Sequence, residues 1–301
     1  MIKVCVMMST YNGDKYLEEQ ILSILDQNIK VHLYIRDDGS NDGTKNILQK
    51  YINNENIFIR FSDNLGPQKS FMCLIDWVGM NYDFYFFADQ DDKWKPGKIM
   101  RAIDFLKQDS LSFAKSKLYF SNVDMTDNEL KKLNIKLSFW KYDINDVLLG
   151  SAPLGCTICY NKELQNHLLS YSPKNHRMHD HWVYLVCLCM EGKIYYDDTS
   201  QMFYRQHSEN VVGGTTVGIK YIKSLFNQFI NVDNNRLAQA NELVEAYGDK
   251  MNSSIKRKLL KLVRYKRSFF IKMNILLSRE FNTKQLKKNV LFKVSILFNR
   301  F

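Results

Sequence analysis

Four prolines and thirteen glycines among 301 residues exclude a collagen-like repeat and a Pro/Gly-rich disordered chain. Cysteine is sparse and unpatterned. Of six, only Cys156 and Cys159 form a C-x-x-C, in GCTICYN, and no second pair exists to complete a zinc site. A strand is expected there, which would turn the two thiols to opposite faces and exclude a metal or redox pair. Free thiols fit a reducing cytoplasm. No apolar run approaches the roughly 18 residues of a transmembrane helix. The apolar part of the N-terminal MIKVCVMMSTYN is too short for a secretory signal. The chain is therefore expected to be soluble, or to lie on a membrane without crossing it. It has no internal repeat and no low-complexity segment.

Acid is nearly missing from one region. From Ile255 to Phe301, fourteen Lys or Arg accompany a single acid, Glu280, so this segment carries +13. The whole chain carries +10, which leaves residues 1–254 at −3. A mildly acidic body is thus joined to a strongly basic tail. With 45% hydrophobic and 25% charged residues, the chain can bury the core of one large domain plus an appendage.

The first half alternates strand-like and helix-like segments. Val4–Met8, Val31–Arg36, Ile57–Phe61 and Asp83–Ala88 read as strands. Helical spacing follows the first three, as at Leu17, Ile21, Ile24 and Leu25. Such alternation predicts a parallel sheet covered on both faces. Leu118–Asn122, Lys193–Tyr196 and Met202–Arg205 are expected to add strands. A buried helix is expected over VYLVCLCM, and helix from about Gly218 to the end. Ligands gather at the carboxyl ends of parallel strands. Three polar segments, STYNG, RDDGS and DQDD, each follow a strand, so all three are expected on one edge of the sheet.

The third segment poses a problem of charge. In FYFFADQDDKWKPGKI, residues 84–99, an apolar run stops at Asp89-Gln90-Asp91-Asp92. Carboxylates this close repel, so solvent, a cation or a ligand must compensate. Taken alone, DQDD also reads as a solvated acidic turn. RDDGSNDGT alone is a turn rich in residues that tolerate positive φ. Ser9 or Asn12 reads equally as a cap for the first helix, and Asp180 in HDHW as a cap for the helix that follows.

MSTYNGDKYLEEQILSILDQ, RDDGSNDGT and FADQDDKWKPGKI resemble the family 2 glycosyltransferases of the GT-A fold. HDHW and YRQHSENVVG resemble the bacterial branch that includes rhamnosyltransferases of surface polysaccharides. The resemblance spans roughly residues 1–215. It implies an α/β, Rossmann-like, mixed and mostly parallel sheet with helices on both faces. Beyond the resemblance the tail is read from its charge and helical spacing, so the expected division is a catalytic domain at 1–217 and a helical, basic region at 218–301. It implies a metal-dependent, inverting transfer from a nucleoside diphosphate sugar, plausibly dTDP-rhamnose, to a glycan or lipid-linked glycan acceptor.

The residue roles follow from the same resemblance. Asp89 sits near the donor ribose, and Asp91 binds Mg2+ or Mn2+, hard cations that take carboxylate and phosphate oxygens. Asp92 supports them. Asp37 and Asp38 contact the donor base or ribose, Thr10 and Tyr11 surround the base, and Asn64, Gly66 and Lys69 line the same pocket. Asp180 is the base that takes the acceptor proton, with His179 and His181 as rivals. Arg205 offsets phosphate charge, and His207 is a third metal ligand or a diphosphate contact. Gly155 and Trp182 belong to the acceptor side.

The tail admits two readings. Leu259, Leu260, Val263, Phe269, Phe270, Met273, Leu276 and Leu277 recur at helical spacing among Lys and Arg. That is the pattern of an amphipathic helix on an anionic bilayer, and equally of a subdomain packed on the body or on a second copy of the chain. No nucleic-acid fold signature accompanies the charge. Attachment to lipid would place a cytoplasmic protein on the inner face of the cell membrane. Two rival functions remain. A nucleotidyltransferase would carry a Gly-rich basic loop after the first strand, where STYNGDKY has only Gly13 and Lys15. A degenerate, membrane-bound sugar-nucleotide scaffold would not need both Asp91 and Asp180.

Overall fold

The computed structural model describes residues 2–108, 115–135, 137–175, 178–206 and 235–301. Eight strands form one sheet: β1 (Val4–Thr10), β2 (Val31–Asp37), β3 (Ile57–Phe61), β4 (Phe84–Ala88), β5 (Lys93–Trp94), β6 (Lys117–Thr126), β7 (Cys159–Asn161) and β8 (Lys193–Arg205). Their order is β3-β2-β1-β4-β7-β6-β8-β5. β1 to β4 pair in parallel, as do β6 and β8. β7 runs antiparallel between β4 and β6, and β5 antiparallel to β8. The sheet is thus mixed and mostly parallel, as expected.

The apolar runs of β1 and β4 serve both faces. Cys5, Met7, Tyr85 and Phe87 point into one core, whereas Val4, Val6, Met8, Phe84 and Phe86 point into the other. This period-two division explains why the runs show no polar alternation in sequence. Helix α1 (Leu17–Leu25) buries Leu17, Ile21 and Ile24 on the second face, together with α4 (Lys98–Lys107). The first face is covered by α3 (Pro67–Val78), α6 (Lys162–Leu169) and α7 (His179–Cys189). Helices α2 (Thr44–Gln49) and α5 (Ile144–Leu148) are short connectors.

Two expectations require correction. The pair of short strands near residues 193–205 is one continuous β8, with register shifts against β6 at Ser121–Asn122 and Asn122–Asp124. Its polar middle stays in the ladder because Asp197 accepts from Arg101 (2.5 and 2.9 Å), Tyr119 Oη (2.9 Å) and Thr199 N (3.0 Å). Cys156 lies in a 3-10 turn, Gly155–Thr157, and not on a strand with Cys159. All six cysteines are free.

The C-terminal region forms α8 (Asn235–Tyr247), α9 (Ser253–Arg264), α10 (Phe269–Leu277) and α11 (Leu286–Leu297). Asn252 caps α9 by accepting from Ser254 N and Ile255 N, and Ser268 caps α10. Leu259, Leu262, Ile275, Phe292 and Ile296 are buried in the same core as Trp182 and Leu185 of α7. The apolar stripe read in sequence as one helix therefore spans two helices, and part of it packs on the body. The region shares the core of the sheet-bearing body instead of building its own. Among the described residues, no helix is long and apolar enough to cross a membrane.

Candidate active site

The carboxyl ends of β1, β2 and β4 lie side by side: Thr10 is in register with Asp37, and Met8 with Ala88. The three polar segments therefore meet on one edge. They enclose a cleft of about 320 Å³ lined by Asn12 to Tyr16, Asp42, Gln90 and Asp91. Asp42 accepts from Thr44 N (3.0 Å) at the start of α2 and from Asp14 N (3.1 Å), tying the first two loops together. Neither Ser9 nor Asn12 caps α1. Ser9 Oγ meets Ser70 Oγ at 2.6 Å, and Asn12 Oδ1 accepts from Asn41 N at 2.9 Å.

Gln90 stitches the β4 loop to the β1 loop. Its Oε1 accepts from Thr10 Oγ1 (2.6 Å) and Tyr11 N (2.8 Å), and its Nε2 donates to Tyr11 O (3.0 Å). A Cβ at Gly13 would overlap the Gln90 amide, so only glycine allows this close approach. The Tyr11 ring is left 45% exposed at the mouth of the site, a face on which a base can stack.

Asp37 and Asp38 are buried and committed to the chain's own groups. Asp37 accepts from Ser40 Oγ (2.5 Å) and Ser40 N (3.2 Å). Asp38 pairs with Arg36 and accepts from Leu65 N (3.0 Å) and Gly66 N (2.8 Å). The two shape the loops around the pocket and do not open on solvent. Asn64 accepts from Gly66 N (3.1 Å); both it and Lys69 are exposed, and neither is among the residues that line the cleft.

The acidic segment divides. Asp91 lines the open cleft. Asp89, Asp92 and the Cys156 thiol gather below it, with one ligand atom of each within 4.8 Å of the others. Burial, then the Asp91 charge, pushes Asp89 up to about 7, with Asp180 adding to the effect. Asp92 is raised well above the usual carboxylate range for the same first two reasons. Its Oδ2 is buried without a hydrogen-bond partner among the described residues. Burial also keeps the Cys156 thiol protonated, so it donates to Asp89 and is a poor metal ligand. Crowded hard oxygens and an orphaned carboxylate oxygen fit Mg2+ or Mn2+.

Two cations support this corner from within the protein. Lys98 is buried at the start of α4, where Nζ donates to Cys156 O (2.7 Å) and lies 4.3 Å from the Trp94 ring. Desolvation lowers its pKa to about 8, against the pull of Asp92 and Asp89. Arg205 is 2% exposed. It donates to Asp91 O (2.8 Å), Asn128 O and Glu19 Oε2 (2.6 Å), and lies 4.2 Å from the Tyr16 ring. Its backbone N also donates to Asp92 Oδ1 at 3.2 Å. Arg205 thus braces the acidic loop from behind, with Glu19 as its charge partner, where the sequence suggested direct phosphate contact.

Asp180 sits in the first turn of α7, whose N-cap is Met178, so Asp180 is not the cap. It is half-buried, and its charge reaches Asp89. The neighbouring histidines are structural. His181 Nε2 bonds Val147 O (2.7 Å), and its Nδ1 faces Gln239 Nε2 (3.3 Å). His179 is buried, stacked 3.9 Å from Phe71 and edge-on to Phe87. A Cβ on Gly155 would lie 2.6 Å from His179 Nε2 and 3.4 Å from Asp180 Cβ, so this glycine makes room for α7. It is itself buried. Trp182 is fully buried beside Tyr171 and Tyr247 and acts through packing, not acceptor contact. His207 lies outside the described residues.

Gln90, Lys98 and Glu19 were not singled out from sequence. A signal existed for Lys98: it shares the buried face of α4 with Ala102 and Leu106, at i, i+4 and i+8. Gln90 and Glu19 carried none, since their partners lie 79 and 186 positions away.

The family model "Glycosyl transferase family 2" matches residues 5–160. The chain is 32% identical over 223 residues to a dTDP-rhamnosyl transferase, RfbG, of Shigella flexneri, covering 68% of this chain and 73% of that protein. A putative teichuronic acid biosynthesis glycosyltransferase, TuaG, of Bacillus subtilis is 32% identical over 114 residues, 37% of this chain and 44% of that one. In fold, the chain resembles S. aureus TarS 1-349 in complex with UDP-GlcNAc (TM-score 0.57, 16% identity, 100% of this chain and 93% of that one). It also resembles GalNAc-T7 with UDP, GalNAc and Mn2+ (TM-score 0.60, 13% identity, 89% and 57%). With the family model spanning more than half of its length and a relative this similar over two thirds of it, the chain belongs to glycosyl transferase family 2.

Proposed function

We propose that this glycosyltransferase moves a sugar from a nucleoside diphosphate donor onto a surface glycan, inverting the anomeric carbon. dTDP-rhamnose is the first donor to test. One observation carries the reading: Gly155 packs against the turn of α7 that holds Asp180, and the next residue, Cys156, gathers with Asp89 and Asp92 within 4.8 Å. The carboxylate offered to an acceptor and the corner suited to a cation thus belong to one site. The RfbG relative supports the choice of donor. The Mn2+ in GalNAc-T7 supports a divalent metal.

In the step proposed, the acceptor oxygen bonds to the anomeric carbon and its proton passes to the Asp180 carboxylate. The bond from that carbon to the diphosphate oxygen breaks, and its electron pair leaves with the nucleoside diphosphate. Tyr11 offers the base a stacking face. Gln90 and Arg205 hold the acidic loop against the cleft. Asp89, Asp91 and Asp92 are the oxygens available to Mg2+ or Mn2+, which when bound would neutralise charge on the leaving group. His181 is a poor base because both ring nitrogens are engaged: Nε2 donates to Val147 O and Nδ1 accepts from Gln239 Nε2.

The test is a panel of nucleotide sugars supplied to the full chain with Mn2+, Mg2+ or chelator. Nucleoside diphosphate release is followed together with the anomeric configuration of the product. Metal-dependent release with inversion is expected. Retention of configuration, or no release from any donor, would overturn the reading.

A further inference from the structure

Thirteen large apolar side chains stand exposed among the described residues, and seven of them lie between Phe269 and Phe298. They are Phe269, Phe270, Leu277, Leu286, Val290, Leu297 and Phe298, a concentration that chance scatter over the surface does not explain. The helical period orders them. At 100° per residue, Leu286, Val290 and Leu297 fall within about 40° of one another on α11. Phe292 and Ile296, on another side of that helix, are buried. Phe270 and Leu277 are seven residues apart on α10, where the buried residue is Ile275. The two helices pack against each other, and Phe292 joins Phe281 and Phe301 beneath them. The outward apolar residues thus stand on a folded support.

The charge around them has one sign. Lys266, Arg267, Lys284 and Lys287 are exposed in the same segment. Its single acid, Glu280, is held by Lys261 at 2.5 Å. An exposed aromatic and aliphatic face rimmed by Lys and Arg is complementary to a surface that is apolar inside and negative outside. A second copy of this chain is a poor occupant, because a self-complementary contact would bring two +13 segments together.

We propose that the outer face of α10 and α11 docks on an anionic phospholipid bilayer, lying in its interface without crossing it. The turn between these helices and α11 itself are tied to α5 and to the loop between α5 and Gly155. Asn145 Nδ2 donates to Glu280 O (3.0 Å) and Asn282 O (3.1 Å), and Lys288 Nζ donates to Ser151 Oγ (2.5 Å). Docking therefore fixes the segment that leads into Gly155, which packs against the turn carrying Asp180, relative to the lipid. A lipid-linked acceptor follows from this only together with the proposed transfer reaction; docking itself does not depend on that reaction.

The experiment is flotation of the full chain with phosphatidylcholine vesicles and with vesicles of equal phosphatidylcholine and phosphatidylglycerol, at low and high salt. Preferential binding to the anionic vesicles, weakened by salt, is expected. Phe270→Ser with Leu297→Ser should lower the partition coefficient about tenfold or more. Lys284→Glu with Lys287→Glu should abolish the preference for anionic lipid. Both pairs change exposed residues, so melting temperature and turnover on a water-soluble acceptor should stay unchanged. Equal binding to neutral vesicles, or no binding by the folded protein, overturns the proposal. So does a dimer in solution that the serine variant splits into monomers, or tight RNA binding without vesicle binding. A chain that floats yet transfers no sugar would refute the transferase reading alone.

Discussion

The side-chain amide of Gln90 pairs with the backbone of Tyr11 as a neighbouring strand would, accepting from its N–H at 2.8 Å and donating to its C=O at 3.0 Å. One residue of the acidic segment thereby sets the position of the Tyr11 backbone, and with it the exposed ring proposed to meet the donor base. Gln90→Ala removes two exposed hydrogen bonds to the loop backbone, which water can replace in part, so it should cost no more than about 0.5–1.5 kcal/mol for each. The nucleotide-sugar KM should rise more than kcat falls. An unchanged KM in steady-state kinetics would show that Tyr11 does not meet the donor.

Gly155→Ala sets a methyl group where the His179 ring now sits. Overpacking of this kind typically costs about 1–3 kcal/mol. The first turn of α7 should shift, carrying Asp180 with it. The expected result is a lower melting temperature and a kcat reduced at least tenfold, with donor affinity by calorimetry little changed. Normal kcat in a destabilised variant would separate the glycine from the catalytic geometry.

Asp180→Asn keeps the shape and removes the proposed base. Proton transfer by a positioned side chain contributes about 10²–10⁴-fold, so kcat should fall by that order while nucleotide-sugar binding persists. Asp91→Ala should instead weaken Mn2+-dependent binding of the nucleoside diphosphate. Wild-type turnover by the Asn variant would move the base elsewhere in the site.

Asp89 is raised to about 7 and Asp92 is raised as well, both first by burial and then by Asp91. The unfolded chain releases these protons near pH 4. Without a cation, the folded form therefore loses stability as pH rises from about 4 through 7, because it alone holds the protons in that window. A divalent ion competes with those protons and relieves the repulsion. Addition of Mn2+ should raise the melting temperature more at pH 8 than at pH 5.5. Equal shifts at both values, or a larger shift in acid, would remove the cation from this corner.

How much of this was legible in the sequence depends on the range of the forces involved. The strands β1 to β4, their helices and the convergence of three polar loops follow from local periodicity and from one rule of parallel sheets. Those loops carry Tyr11, Asp38 and Asp91, so the outline of the site was readable. Residue roles were harder. Asp37, Asp38 and Arg205 are polar residues beside a cleft, and sequence offers no way to see that their partners are Ser40, Leu65 and Glu19. Trp182 beside Asp180 looks like a site residue until its burial is known. The polar DDTS of β8 reads as a break, and only Arg101 and Tyr119, far away in sequence, make it a strand.

The sequence by itself determined the order of the elements, the family, and the tail of one charge sign, because periodicity, short motifs and net charge need no partner to be read. Tertiary structure decided which carboxylates are buried together, which cations brace them, and which apolar residues of the tail face the core and which face outward. Those properties arise from desolvation and from contacts between positions up to 186 residues apart, and folding alone brings such groups within a few ångströms.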